Sequence, residues 1–151
     1  GFNRVLAPVH VEVGVGVADA VVAPGRAGVG LPPHVVVVVL AARALRRSLI
    51  NLAFAQKRTA VFSMLSDKDI DGVLEIVKDQ FDEWYIAPLD VPRGMTAEAL
   101  QAKLEAQNIE NIQTFTSVGE AYRAALAKAG ENDRIVVFGS FHTVADVMAA
   151  L

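Results

Sequence analysis

Apolar positions along this chain alternate between two rhythms. Val35 to Leu40, Thr59 to Leu65 and Ile135 to Phe138 are short apolar runs, the pattern of strands buried on both faces. Glu83 to Ala87 is a short aromatic-rich strand, and Ile112 to Phe115 a smaller one. Between these runs, apolar residues recur at helical spacing. Ile70, Val73, Leu74 and Val77 form the inner stripe of a helix from Asp69 to Gln80, capped by Ser66 or Asp67. Further helices are predicted from Ala41 to about Gln56, from Ala97 to Gln107 after Thr96, and from Ser117 to Ala129. The last begins after Gly139-Ser140, with Ser140 or Thr143 as its cap and Val144, Val147, Met148 and Leu151 on one side. Strands alternating with helices across short loops predict an α/β fold: a mostly parallel, Rossmann-like sheet with helices on both faces.

Composition divides the chain near residue 57. The first 50 residues hold 14 valines and seven charged residues, with no lysine before Lys57, whereas 24 charged residues follow from 51 onward. Val9 to Val17 alternates as a half-buried strand would, yet nothing before residue 23 carries recognisable chemistry. The expected division is therefore an unassigned valine-rich segment, 1–23, and an α/β domain, 24–151. A length of 151 residues accommodates one real core. No apolar run is long enough to span a bilayer, and no start of the chain has the order of a secretory signal. With no cysteine, disulfides and thiolate metal sites are excluded, which fits a cytoplasmic setting. A net charge of -3 argues against a general grip on nucleic acid, and no membrane partner is expected.

Open α/β sheets bind ligands at the carboxyl ends of their strands, which selects the loops after the predicted strands. Asp67-Lys68-Asp69 offers a cation for a carboxylate or phosphate and an acceptor for an amine or hydroxyl, although on the residues alone a helix cap with favourable dipole charges is the preferred account. Pro92-Arg93-Gly94 and Pro24-Gly25-Arg26 place arginines in stiff turns. Gly139-Ser140 is, on its local pattern, turn and cap chemistry, and His142 has no charge partner in sequence. No metal-ligand cluster surrounds any of the three histidines, and no GxxxxGK[ST] phosphate loop occurs anywhere. These residues describe a ligand-binding α/β domain without a catalytic engine of its own.

Three ordered motifs carry a resemblance: Met64-Leu65-Ser66-Asp67-Lys68-Asp69-Ile70, Trp84 through Pro88-Leu89-Asp90-Val91-Pro92-Arg93-Gly94, and Gly139-Ser140-Phe141-His142-Thr143-Val144. From about Lys57 to Leu151 the chain resembles the C-terminal domain of the bacterial bifunctional dihydrofolate synthase/folylpolyglutamate synthases, within the Mur ligase superfamily. Pro24-Gly25-Arg26 is similar to the element that opens this domain in the family. The resemblance implies an ATP- and Mg2+-dependent amide ligase that joins L-glutamate to dihydropteroate or folate through an acyl phosphate. It also implies that the phosphate loop and metal ligands lie in a separate N-terminal P-loop domain, so that this chain alone is inactive. By the same resemblance, Arg26 approaches the nucleotide, and Asp67, Lys68, Ser140, Phe141 and His142 line the substrate side of the cleft.

One departure stands out. The family expects an Asp-x-Ala-His-Asn-Pro signature after the Pro-Pro element. Counting from Pro32-Pro33 places Val38, Ala41 and Ala42 at the aspartate, histidine and asparagine. Valine cannot accept from a ribose hydroxyl, and alanine cannot orient a substrate. The alternative reading is thus a non-catalytic α/β ligand-binding module with a degenerate catalytic motif. A third is a signalling domain with Asp67 as phosphate acceptor.

Overall fold

The computed structural model describes residues 10–13, 20–22, 35–39, 42–50, 57–130 and 132–149. Seven strands form one sheet: β1 (His10–Val13), β2 (Ala20–Val22), β3 (Val35–Val39), β4 (Lys57–Phe62), β5 (Glu83–Ile86), β6 (Ile112–Thr114) and β7 (Asp133–Phe138). Their order is β2-β1-β3-β7-β4-β5-β6. All neighbours pair in parallel except β1 and β2, so the fold is the mostly parallel α/β sheet that the alternating pattern predicts. The helices are α1 (Ala42–Ile50), α2 (Ile70–Val77), α3 (Ala97–Ala106), α4 (Val118–Lys128) and α5 (Phe141–Ala149).

Side-chain alternation along β4, β5 and β7 divides the interior into two cores. Ala60, Phe62, Trp84, Ile86, Val136 and Phe138 face one layer, where Leu45 and Leu49 of α1, Leu74 and Val77 of α2 and Leu100 and Leu104 of α3 cover them. Val61, Tyr85, Ile135 and Val137 face the other, beneath Val118, Ala121, Tyr122 and Ala125 of α4 and Val147 of α5. Because consecutive residues of a strand point to opposite faces, a strand covered on both sides must be apolar throughout. That is why their carboxyl-terminal parts, Ala60 to Phe62, Trp84 to Ile86 and Ile135 to Phe138, read as unbroken apolar runs. Edge-to-face contact of Trp84 with Phe62, at 5.5 Å between centroids, and stacking of Phe81 on Phe138 at 5.4 Å fill the first core.

Several boundaries differ from the sequence reading. β4 begins two residues early and stops at Phe62 rather than Leu65, because Leu65 instead bridges to Gly94. α2 is capped by Asp69, whose carboxylate accepts from the Gly72 N–H at 3.1 Å, and not by Ser66 or Asp67. Those two residues are drawn the other way, toward Arg93. α2 ends at Val77 and gives way to a 3-10 turn, Lys78–Gln80. An arginine at a helical position with no partner nearby in sequence, such as Arg46, is ordinarily part of a solvated face. Arg46 is instead only partly exposed and ties α1 to α2, donating to the Ile76 carbonyl at 2.8 Å and pairing with Asp79. The stretch 51–56, which the long first helix was expected to include, lies outside the described residues.

Candidate functional site

The carboxyl ends of β7, β4 and β5 are neighbours in the sheet, so the loops that follow them share one rim. After β4 the chain runs through buried Ser63, Met64 and Leu65 and then exposes Ser66, Asp67, Lys68 and Asp69 in succession. After β5, Ala87 and Leu89 stay buried and the turn reaches Arg93 and Gly94. The two loops are stitched together. Ser66 N–H donates to the Arg93 carbonyl at 2.7 Å, and Met95 N–H to the Met64 carbonyl at 3.2 Å. Arg93 Nη1 donates to Asp67 Oδ2 at 2.5 Å. Gly94 permits the tight turn that carries Arg93, since a Cβ there would lie 2.1 Å from the Leu89 carbonyl oxygen. Arg93 is thereby a brace for the Asp67 loop. Lys68 is exposed on the same loop, and its ammonium has no partner among the described residues.

The β7–α5 turn is fixed to the end of β4 more tightly still. Gly139 adopts φ 130, and a Cβ at that position would meet the Ser63 carbonyl oxygen at 1.8 Å. Ser140 caps α5, its Oγ accepting from the Thr143 N–H at 3.2 Å. Thr143, fully buried, donates its hydroxyl to the Ser63 carbonyl at 2.8 Å. A threonine has one hydroxyl hydrogen. The 3.2 Å contact between Ser140 Oγ and Thr143 Oγ1 therefore runs from serine to threonine. Ser140 has given its hydrogen and one lone pair to Thr143, which leaves it able only to accept from a ligand. His142, in the first turn of α5, is exposed.

Of the residues singled out from sequence, Asp67 and Lys68 share one loop, and Ser140, Phe141 and His142 follow the adjacent strand β7. Arg26 and Ala41 lie outside the described residues, Val38 is in β3, and Ala42 opens α1. Thr143 and Ser63 were not recognised as the clamp beneath the rim. They stand 80 residues apart, and nothing local to either names the other. Among the described residues no group of three or more His, Asp or Glu side chains comes together as a metal site. The donor set on the rim, an ammonium and an exposed imidazole, suits an anion; Asp67 is already neutralised by Arg93.

The profile of the family described as Mur ligase, glutamate ligase domain, matches residues 38–141 of this chain. The chain belongs to that family. A curated relative, the dihydrofolate synthase/folylpolyglutamate synthase of Escherichia coli (strain K12), is 48% identical over 92 residues, covering 61% of this chain and 21% of the relative. The corresponding protein of Haemophilus influenzae is 40% identical over 110 residues, covering 72% of this chain and 24% of its own length. Among solved structures, E. coli FolC in complex with DHPP and ADP superposes with a TM-score of 0.66 at 44% identity, covering 72% of this chain and 25% of that one. The chain thus spans about a quarter of the length of these relatives, in the region of their C-terminal domain. The glutamate ligase domain seen here is of the FolC type, and its fold agrees with those neighbours.

Proposed function

We propose that this chain is the C-terminal lobe of an ATP-dependent amide ligase that adds L-glutamate to dihydropteroate or folate. The observation that carries the reading is the shared rim: Lys68, whose ammonium has no partner among the described residues, and an acceptor-only Ser140, in the loops that follow adjacent strands of a glutamate ligase domain. A relative solved with Mn, AMPPNP and L-glutamate bound, 44% identical with a TM-score of 0.64, supports the substrate class. In this reading ATP supplies the phosphoryl group that activates the carboxylate, and Mg2+ neutralises it from an N-terminal P-loop domain of the same polypeptide. The residues of this lobe bind and orient. Lys68 attracts an anionic group of the amino acid or nucleotide, Ser140 accepts from an N–H, and His142 and Phe141 border the same turn. Asp67, braced by Arg93, holds the Lys68 loop in place. Holding an amine beside an activated carbonyl converts an encounter into a unimolecular step, which is the contribution a lobe without a phosphate loop can make. Arg26 completes the nucleotide side in this proposal. Residues 1–23 precede the domain proper, although β1 and β2 join its sheet. The setting is cytoplasmic, with neither nucleic acid nor membrane as partner; no described helix is long and apolar enough to cross a bilayer.

Transfer of labelled L-glutamate to dihydropteroate or tetrahydrofolate, measured with the parent polypeptide and with the isolated 151 residues, tests the reading. The parent is expected to turn over and the isolated lobe not to, since it has no phosphate loop. Glutamate-dependent ATP hydrolysis by the lobe alone would overturn the division of labour. A second reading is a non-catalytic α/β ligand-binding module, favoured by Val38 and Ala42 at positions where the family's aspartate and asparagine are expected. A parent that binds glutamate but never transfers it would establish that reading instead.

A further inference from the structure

At the opposite end of the sheet, two arginines face the same way. Arg58 and Arg134 are the second residues of β4 and β7 and are register partners on adjacent parallel strands. Neighbouring strands lie about 4.8 Å apart. Both side chains belong to the face of Ala60, Phe62, Val136 and Phe138, on the side covered by α1, α2 and α3. Arg58 Nη2 donates to the Leu49 carbonyl at 2.7 Å and Nη1 to Gln80 Oε1 at 2.9 Å, and both acceptors are neutral. The Asp82 carboxylate accepts from the backbone N–H of Arg58 at 2.9 Å, and no hydrogen bond joins it to the guanidinium. Arg134 is only 8% exposed, its Nε is buried with no acceptor, and among the described residues its side chain has no hydrogen bond or ion pair. Burial first, and the Arg134 charge second, hold the Arg58 pKa below its usual value against the pull of Asp82.

Like charges directly opposed in a sheet repel, and a buried cation without a counter-charge is costly. A buried polar atom left without a partner calls for a bound ion or water. We propose that Arg58 and Arg134 form a binding site for a small tetrahedral oxyanion, a phosphate, at the amino end of the sheet. A doubly charged oxyanion balances both guanidiniums, whereas one carboxylate balances a single charge. The planar guanidinium fork also matches phosphate oxygens two at a time. The occupant must be small, because a group only 8% exposed is out of reach of a broad protein surface. The site is distinct from the ligand rim. β4 has six residues, so at about 3.3 Å per residue the two ends of the strand are roughly 17 Å apart.

Thermal unfolding of the 151-residue chain, titrated with inorganic phosphate at constant ionic strength, is the test. Wild type is expected to gain several degrees at tens of millimolar phosphate, Lys68→Ala to gain as much, and Arg134→Met to gain nothing. A shift that survives Arg134→Met, disappears in Lys68→Ala, or is matched by acetate would overturn the site, as would no shift in wild type. If Arg134→Met does not fold, Arg58→Gln serves in its place, with phosphate affinity expected to fall about tenfold; unchanged affinity would also overturn the site. An ADP titration separates the two sources of phosphate. Stabilisation that Arg134→Met abolishes assigns the site to a phosphate ester, and stabilisation indifferent to it assigns the site to free phosphate.

Discussion

The two ends of this sheet treat their charges in opposite ways. At the carboxyl end, Asp67, Lys68 and Arg93 are exposed on loops and His142 in the first turn of α5, and a buried hydrogen bond from Thr143 to the Ser63 carbonyl lies beneath them. At the amino end, Arg58 and Arg134 are drawn under the helices that cover the strands, while Lys57 and Lys128 share the carboxylate of Glu83 on the other face. The rim is a hydrogen-bonded floor with exposed polar and charged side chains above it, and the far end is cationic side chains packed into structure. What the contrast teaches is where precision lies. Positioning at the rim comes chiefly from backbone carbonyls and small residues, Ser63, Gly139 and Thr143, with the Arg93–Asp67 pair as a brace between the two neighbouring loops.

The severest way to break the rim is Gly139→Ala. The added methyl would meet the Ser63 carbonyl at 1.8 Å on a backbone with φ 130. A loss of about 3 kcal/mol or more is expected in denaturant unfolding. Thr143→Val is milder. It keeps the volume of the side chain but leaves the buried Ser63 carbonyl without its 2.8 Å donor, for an expected loss of about 1–3 kcal/mol. The same change frees the Ser140 hydroxyl hydrogen. In the parent enzyme it should therefore narrow the discrimination between glutamate and glutarate, which lacks the amine; Thr143→Ser should restore both stability and discrimination.

A smaller effect sharpens the comparison from the sheet's other face. The Tyr122 hydroxyl is buried without a partner, and burial raises its pKa above the ordinary 10.0. The folded chain then keeps a proton that the unfolded chain releases. Stability is constant below the ordinary value and falls as pH rises through the folded one. Tyr122→Phe is expected to change stability at neutral pH by less than about 1 kcal/mol, because no hydrogen bond is lost. It should also flatten the alkaline limb of a pH–stability curve, and an unchanged limb would show that Tyr122 does not titrate on unfolding.

Much of this arrangement could be read from the chain itself. β4, β5 and β7 announce themselves through their apolar carboxyl-terminal parts, which are buried on both faces, and Thr96 and Ser117 cap the helices that follow them. The boundaries that moved did so for tertiary reasons. Ser66 and Asp67 look like caps locally, but Arg93, some 26 residues on, takes the Asp67 carboxylate and leaves the role to Asp69. The insertion of β7 between β3 and β4 has no local signature either, yet it brings Gly139 against Ser63 and sets Arg134 beside Arg58. The site residues were legible as types in loops. Which were free to meet a ligand was not, because that depends on partners far away in sequence.

In the proposed function the carboxyl rim, and Lys68 within it, faces the ligands of a glutamate-adding ligase. Steady-state kinetics of Lys68→Ala in the parent enzyme tests it most directly, because Lys68 is exposed and anchors nothing among the described residues. The account predicts a KM for glutamate or ATP raised by about tenfold or more, with stability unchanged. Kinetic constants indistinguishable from those of the unaltered enzyme would contradict it.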